Sequence, residues 1–202
     1  MEALRNNVNS EVKALQNANT RQDQAIQDAG KSTFVRWGNS ACPSSAEHVY
    51  SGIVGGGTWS SSGSTSSVLC LHPKPVFGHV THPEYFGRLC GSEYETHPGP
   101  HQNIDPVCVV CRIPRPTIIM VPGTNVCESG WTLEYRGYLM GSEEADSSNH
   151  ESVYVDSKFE GRRGSERNNN GMLLYFLYTR CGSLPCPPYH SQRVVTCVVC
   201  SK

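Results

Sequence analysis

All ten cysteines of this 202-residue chain (Cys42, Cys70, Cys90, Cys108, Cys111, Cys127, Cys181, Cys186, Cys197 and Cys200) fall after residue 41. An even count at this density, in a region broken by Gly, Pro and Ser, reads as a disulfide framework built in an oxidising compartment. The apolar share is only 37%, with 19 Gly and 13 Pro, so the hydrophobic core is thin for the length. Cross-links then supply what burial does not, and stability is expected to depend on oxidation. Two of the cysteine pairs have the form Cys-Val-Val-Cys, at 108–111 and 197–200. Four thiolates at short paired spacing can suggest zinc, and a single pair can suggest redox chemistry. Here each pair lies in a Val-rich run that reads as a strand, where side chains alternate and the two sulfurs point to opposite faces. That arrangement suits separate disulfides, with partners left open, and it offers no helix N-terminus to activate a thiol.

The same words occur twice. Cys42-Pro43-Ser44 opens one unit and Cys127-Glu128-Ser129 the other; eight residues on stand Tyr50 and Tyr135, and two further on Gly52 and Gly137. Each unit continues through an apolar run, Val68-Leu69-Cys70-Leu71 or Ser152-Val153-Tyr154-Val155, and closes on Cys-Val-Val-Cys. The pattern predicts a mainly β protein made of tandem duplicated units, 33–117 and 118–202, related by pseudo-twofold symmetry. Strands are expected at Glu47–Tyr50, Val68–Leu71, Pro116–Val121, Leu133–Leu139, Met172–Tyr178 and Arg193–Val199, and exposed loops at Gly55–Ser67 and Arg162–Gly171.

Residues 1–29 differ in kind: they contain no Gly, Pro or Cys and end at Gly30, a helix stop. A strict heptad leaves Val12 and Ile26 outside its apolar rows. An eleven-residue repeat aligns Leu4, Leu15 and Ile26, and Met1 with Val12, with Val8 nearby and Asn19 and Asp23 as polar intruders. The spacing predicts a coiled-coil stalk over residues 1–30 that associates through Leu4, Val8, Val12, Leu15 and Ile26, nearly straight or slightly right-handed. The competing reading is one amphipathic helix folded back on the rest of the chain.

The combination of Arg36-Trp37-Gly38, Cys42-Pro43-Ser44 through Tyr50 and Gly52, Cys108-Val109-Val110-Cys111, Ser129-Gly130-Trp131 through Tyr135-Arg136-Gly137-Tyr138-Leu139-Met140, Cys181-Gly182-Ser183-Leu184-Pro185-Cys186-Pro187-Pro188-Tyr189 and the closing Cys197–Cys200 resembles the non-collagenous C-terminal domain of type IV collagen. It resembles more closely the short-chain collagen-like proteins of sponges and molluscs. The resemblance spans residues 34–202. It implies a tandem β fold whose halves exchange hairpins, trimerisation at the end of a triple-stranded stalk, and the pairs Cys42–Cys111, Cys70–Cys108, Cys127–Cys200 and Cys181–Cys186. Two departures stand out. There is no Gly-X-Y tract, so a coiled coil takes the place of the collagen helix, and Tyr154 stands where the pattern expects the partner of Cys197. Cys90 and Cys197 remain, and a replacement bond between them, within a chain or between chains, is the expectation that follows.

Net charge is −1 with the eight His counted neutral, and the basic residues are scattered, which argues against a nucleic-acid partner. No apolar run approaches the roughly 20 residues of a membrane span, and the opening residues are polar rather than signal-like, so a secreted form is expected to be numbered after processing. His72, His79, His82, His97 and His101, among Glu84, Glu93, Glu95 and Asp105, contain the residue types of a zinc or copper site but no short ligand spacing, and read as solvated loop groups. Glu143-Glu144-Ala145-Asp146 with Asn149 and Glu151 carries calcium-type oxygens without a recognised loop spacing. No catalytic arrangement is recognisable, so the chain is read as no enzyme, with no cofactor and no metal. Trp59, Tyr85, Phe86, Tyr94, Tyr138 and Tyr189 supply aromatic surface for shallow recognition or for the core. The leading expectation is a secreted, extracellular homotrimeric structural or assembly protein. The alternative is a multivalent lectin, with glycans or matrix proteins as partners and avidity supplied by the stalk.

Overall fold

The computed structural model describes residues 2–79 and 84–202, the first and last three residues of the opening helix by their backbone alone. Helix α1 (Glu2–Ala29) is followed by ten strands. The first half supplies β1 (Ser32–Trp37), β2 (Glu47–Gly56), β3 (Leu69–Leu71), β4 (Cys90–Tyr94) and β5 (Val107–Ile113). The second supplies β6 (Ile118–Pro122), β7 (Thr132–Gly141), β8 (Val153–Asp156), β9 (Met172–Phe176) and β10 (Thr196–Ser201). The protein is mainly β and disulfide-rich, and among the described residues no helix is long and apolar enough to cross a membrane.

Each half pairs its strands in the same order. β5 lies between β1 and β2, and β2 also pairs β3 and β4; β10 lies between β6 and β7, and β7 also pairs β8 and β9, all antiparallel. The register coincides as well. Tyr50 faces Val110 and Gly52 faces Cys108, as Tyr135 faces Val199 and Gly137 faces Cys197. One residue before each tyrosine the ladder skips, at Val49 and at Glu134. Each tyrosine then donates its hydroxyl to a backbone carbonyl on the third strand of its half: Tyr50 to Cys70 at 2.9 Å, Tyr135 to Tyr154 at 2.8 Å.

These contacts give the repeated Tyr-x-Gly its physical reason. A Cβ at Gly52 would stand 2.5 Å from the Leu71 carbonyl oxygen, and one at Gly137 would stand closer still to that of Val155. The tyrosine draws the third strand against the second, and only glycine leaves room for it.

The halves interlock at two parallel contacts, Trp37 against Val155 between β1 and β8, and Ser92–Tyr94 against Met172–Leu174 between β4 and β9. Both core clusters draw on both halves. In one, Val54, Tyr94 and Cys108 meet Met140, Val155, Met172 and Leu174; in the other, Phe34, Val109 and Ile113 meet Tyr135 and Val199. The 117/118 boundary therefore divides the sequence pattern but not the core.

Several expected elements shift. β2 runs on through Gly55 and Gly56, since β4 pairs there, so the expected loop from Gly55 starts two residues later. β1 and β4 were not expected as strands, and both are held by partners far along the chain.

At the bulge, Glu134 turns inward and is 6% exposed. Its carboxylate accepts from Arg115 Nη2 at 2.6 Å, from the Ser201 hydroxyl at 2.5 Å and from the Ser45 hydroxyl at 3.2 Å. A second pair sits at the seam between halves: Arg36 Nε and Nη2 reach Asp156 Oδ2 at 2.7 and 2.6 Å.

Candidate functional site

Four disulfides staple the β region. Cys42–Cys111 and Cys127–Cys200 tie the loop before β2 or β7 to the closing strand, with Cα atoms 5.7 and 5.9 Å apart; Cys70–Cys108 joins β3 to β5 at 5.8 Å. Cys181–Cys186 closes a local loop at 5.8 Å. These are the pairings that the family resemblance implies. Cys108 and Cys111 bond to different partners because three positions along a strand carry side chains to opposite faces.

The expected Cys90–Cys197 bond is not formed, and both residues are thiols. Cys197 lies fully buried in β10, under the charge influence of Asp156 and close enough to Tyr135 and Tyr154 to bear on both their hydroxyls. That burial also places it beyond the reach of a neighbouring chain. Cys90 sits at the start of β4, opposite Gly56. The register explains the vacancy: Tyr154 faces Leu139 as Cys70 faces Val54, so a tyrosine occupies the ladder position of the missing cysteine.

Burial pushes the Cys197 thiol up to about 12, reinforced by Asp156 and partly offset by the Gly137 backbone. Because the thiolate is the reactive form, native protein treated with iodoacetamide at pH 8 is expected to label at Cys90 and not at Cys197, with both labelling after denaturation. Peptide mass mapping reads the result. Equal native labelling at the two sites would contradict the burial.

On α1, every described side chain from Arg5 to Ile26 is exposed. Val8 is 52%, Val12 46%, Leu15 70% and Ile26 66% exposed, so these four apolar side chains are not covered by the described residues. A helix folded back on the rest of the chain would bury these side chains, and they are exposed among the described residues. The side chain of Leu4 lies outside the described residues.

The histidines do not converge. His72 packs on Tyr50 with centroids 5.3 Å apart, His101 packs on Phe159 at 5.2 Å, and His82 lies outside the described residues. Among the described residues no group of three or more His, Cys, Asp or Glu is placed to hold a metal. The acidic stretch is a turn: Glu143 N–H donates to Asp146 Oδ2 at 3.2 Å, and Glu151 Oε1 accepts the Val68 N–H at 2.9 Å, pinning the start of the third strand of the first half. Of the aromatic candidates, Tyr94 is fully buried and Tyr138 packs edge-on to Phe176 at 5.3 Å, while Tyr85 and Phe86 stand in solvent. Trp59 and Tyr189 are partly exposed.

Two of the acids named with the histidines do come together. Glu93 and Asp105 line one cavity with Asn169 and Asn170 of the second half, which belong to the stretch expected as an exposed loop. The parallel β4–β9 contact and the Asp105 contacts to Arg162 and Ser165 make them neighbours, and no local spacing signals it. No family model matches the chain.

Proposed function

We propose that the protein is a secreted, homotrimeric extracellular assembly module, in which a three-stranded coiled-coil stalk carries disulfide-held heads. Each head is a duplicated β unit related to the non-collagenous domain of type IV collagen and to short-chain collagen-like proteins. The observation that carries the reading is the bare apolar stripe of α1. A 28-residue helix spans about 42 Å. Isolated helices gain most of their stability in water from packing an apolar face, and Val8, Val12, Leu15 and Ile26 of this helix stay exposed among the described residues. Three copies burying Val8, Val12, Leu15 and Ile26 against one another supply that packing. The matching registers of the two halves support the duplication, and the disulfides support an oxidising compartment. Glycans or matrix proteins are the partners that such heads would present to; the recognition reading rests on the cavity beside Glu93.

Replacing Leu15 and Ile26 together by Asp tests the stalk. The expected result is loss of the helical far-ultraviolet signal and of the oligomer, with the near-ultraviolet signal of the heads unchanged. An unaltered helical signal would show that the helix stands without partners.

A further inference from the structure

The Glu93 carboxyl is a buried group left half-satisfied. It lies on β4, where Ser92, Glu93 and Tyr94 are all buried because β9 runs alongside. Glu93 is 3% exposed; its Oε1 accepts the Asn169 N–H at 2.9 Å, and its Oε2 has no partner among the described residues. Burial pushes this carboxyl up, and Asp105 and Glu95 add to the rise, while the Asn169 and Asn170 backbone N–H groups work against it. A desolvated acceptor without a donor is costly, and Glu93 is one of the residues lining a cavity of about 470 Å³, within the roughly 300–1,000 Å³ range of small-molecule sites.

The lining selects among ligands. Thr58, Arg88, Glu93, Asp105, Asn169 and Asn170 contribute hydroxyl, guanidinium, carboxylate and amide groups, and none of the lining side chains is a hydrocarbon. An apolar ligand therefore finds nothing to bury against. Asp105 is engaged by Arg162, whose Nε lies 3.1 Å from Oδ2, and Arg88 lies in the same wall as Glu93. Asp105 is thus held by Arg162, and burial disfavours charge on Glu93, which together disfavour a bare cation. A neutral group that both donates and accepts hydrogen bonds suits such a wall.

The cavity also has open space of the right kind. Gly91 shares the Glu93 face of β4 by strand alternation, and a Cβ there would meet nothing within 4 Å. Trp59, 38% exposed, follows the lining residue Thr58 and donates its backbone N–H to the lining Gly171 at 3.0 Å, so its backbone adjoins the wall.

We infer that this cavity, at the β4–β9 junction of the two halves, binds a neutral saccharide residue, with the Glu93 carboxyl hydrogen-bonded to a sugar hydroxyl and the Asn169, Asn170 and Arg88 side chains completing the hydrogen bonds. The site belongs to a single chain and does not depend on how chains assemble, so its failure and the failure of the trimer reading are separate results.

The test uses the full-length oxidised chain with galactose, glucose and N-acetylglucosamine at millimolar concentration. Saturation-transfer NMR reads the sugars, and amide shifts read Gly91 and Asn169. The expected result is saturation of at least one sugar with shifts at those amides, both lost in Gly91→Leu, whose side chain fills the open space with the melting temperature unchanged. If Gly91→Leu melts early, Glu93→Gln carries the test instead, because it keeps the shape and replaces the free acceptor by a donor; sugar binding should then weaken by about tenfold or more. Absence of saturation from all three sugars, or binding that survives in the folded variant, would overturn the inference. So would amide shifts produced by calcium or methylammonium in place of sugar.

Discussion

Reducing the disulfides is expected to unfold the head while it is still well below the melting temperature of the oxidised protein. Cys42–Cys111 and Cys127–Cys200 close loops of sequence separation 69 and 73, and Cys70–Cys108 one of 38. In the chain-entropy account each such closure is worth about 4 kcal/mol, against a total folding stability of about 5–15 kcal/mol for a domain. Losing two long loops therefore consumes most of what holds the head. The local Cys181–Cys186 bridge, separation 5, is worth about 2 kcal/mol by the same reasoning. Replacing Cys42 and Cys111 by Ala should lower the melting temperature by roughly 10 °C or more, and replacing Cys181 and Cys186 by Ser should lower it by less. Calorimetry of the two variants and of the reduced protein provides the comparison. A reduced protein melting within a few degrees of the oxidised one would show that the apolar core suffices without cross-links.

The second large effect concerns the seam. Arg36 and Asp156 have side chains 16% and 4% exposed, and they join β1 of the first half to β8 of the second. Arg36 also donates to the Ala41 carbonyl at 2.6 Å and lies 5.8 Å from the Tyr135 ring centroid. Asp156 Oδ1 accepts the Lys158 N–H at 2.7 Å. Arg36→Met leaves the carboxylate buried with that backbone donor as its remaining hydrogen bond, and breaking a buried pair in this way costs about 3–5 kcal/mol. Adding Asp156→Leu removes the stranded charge, so the double variant should regain much of the loss. Denaturant unfolding of the single and double variants decides. A single variant as stable as the parent would mean that the pair is solvated and that the halves are held by apolar contacts alone.

How far these features could be read from the chain depended on how local their causes are. The helix was legible because its causes are local: residues 2–29 lack Gly, Pro and Cys, and Gly30 follows. The shared Tyr-x-Gly words were legible because Tyr50/Gly52 and Tyr135/Gly137 meet like backbone contacts, on β3 and on β8. β4 was not. Its Cys-Gly-Ser-Glu-Tyr has no period-two apolar pattern, and it is a strand because β2 and β9 flank it from 34 and 80 residues away in register, as Gly56 faces Cys90 and Tyr94 faces Leu174. β1 likewise takes its place between β5 and β8. The Glu93 cavity was invisible for the same reason, since Glu93 and Asn169 are 76 positions apart. The Cys90–Cys197 expectation failed differently. Parity of a cysteine count says nothing about distance, whereas the ladder position of Tyr154 accounts for the unpaired Cys197.

Trimerisation through the stalk is the centre of the account, and the mass of the intact, oxidised protein in solution tests it most directly. Light scattering at micromolar concentration is predicted to give three times the 22.2 kDa chain mass. A particle of one chain mass at that concentration, or a stable dimer or tetramer, would contradict it.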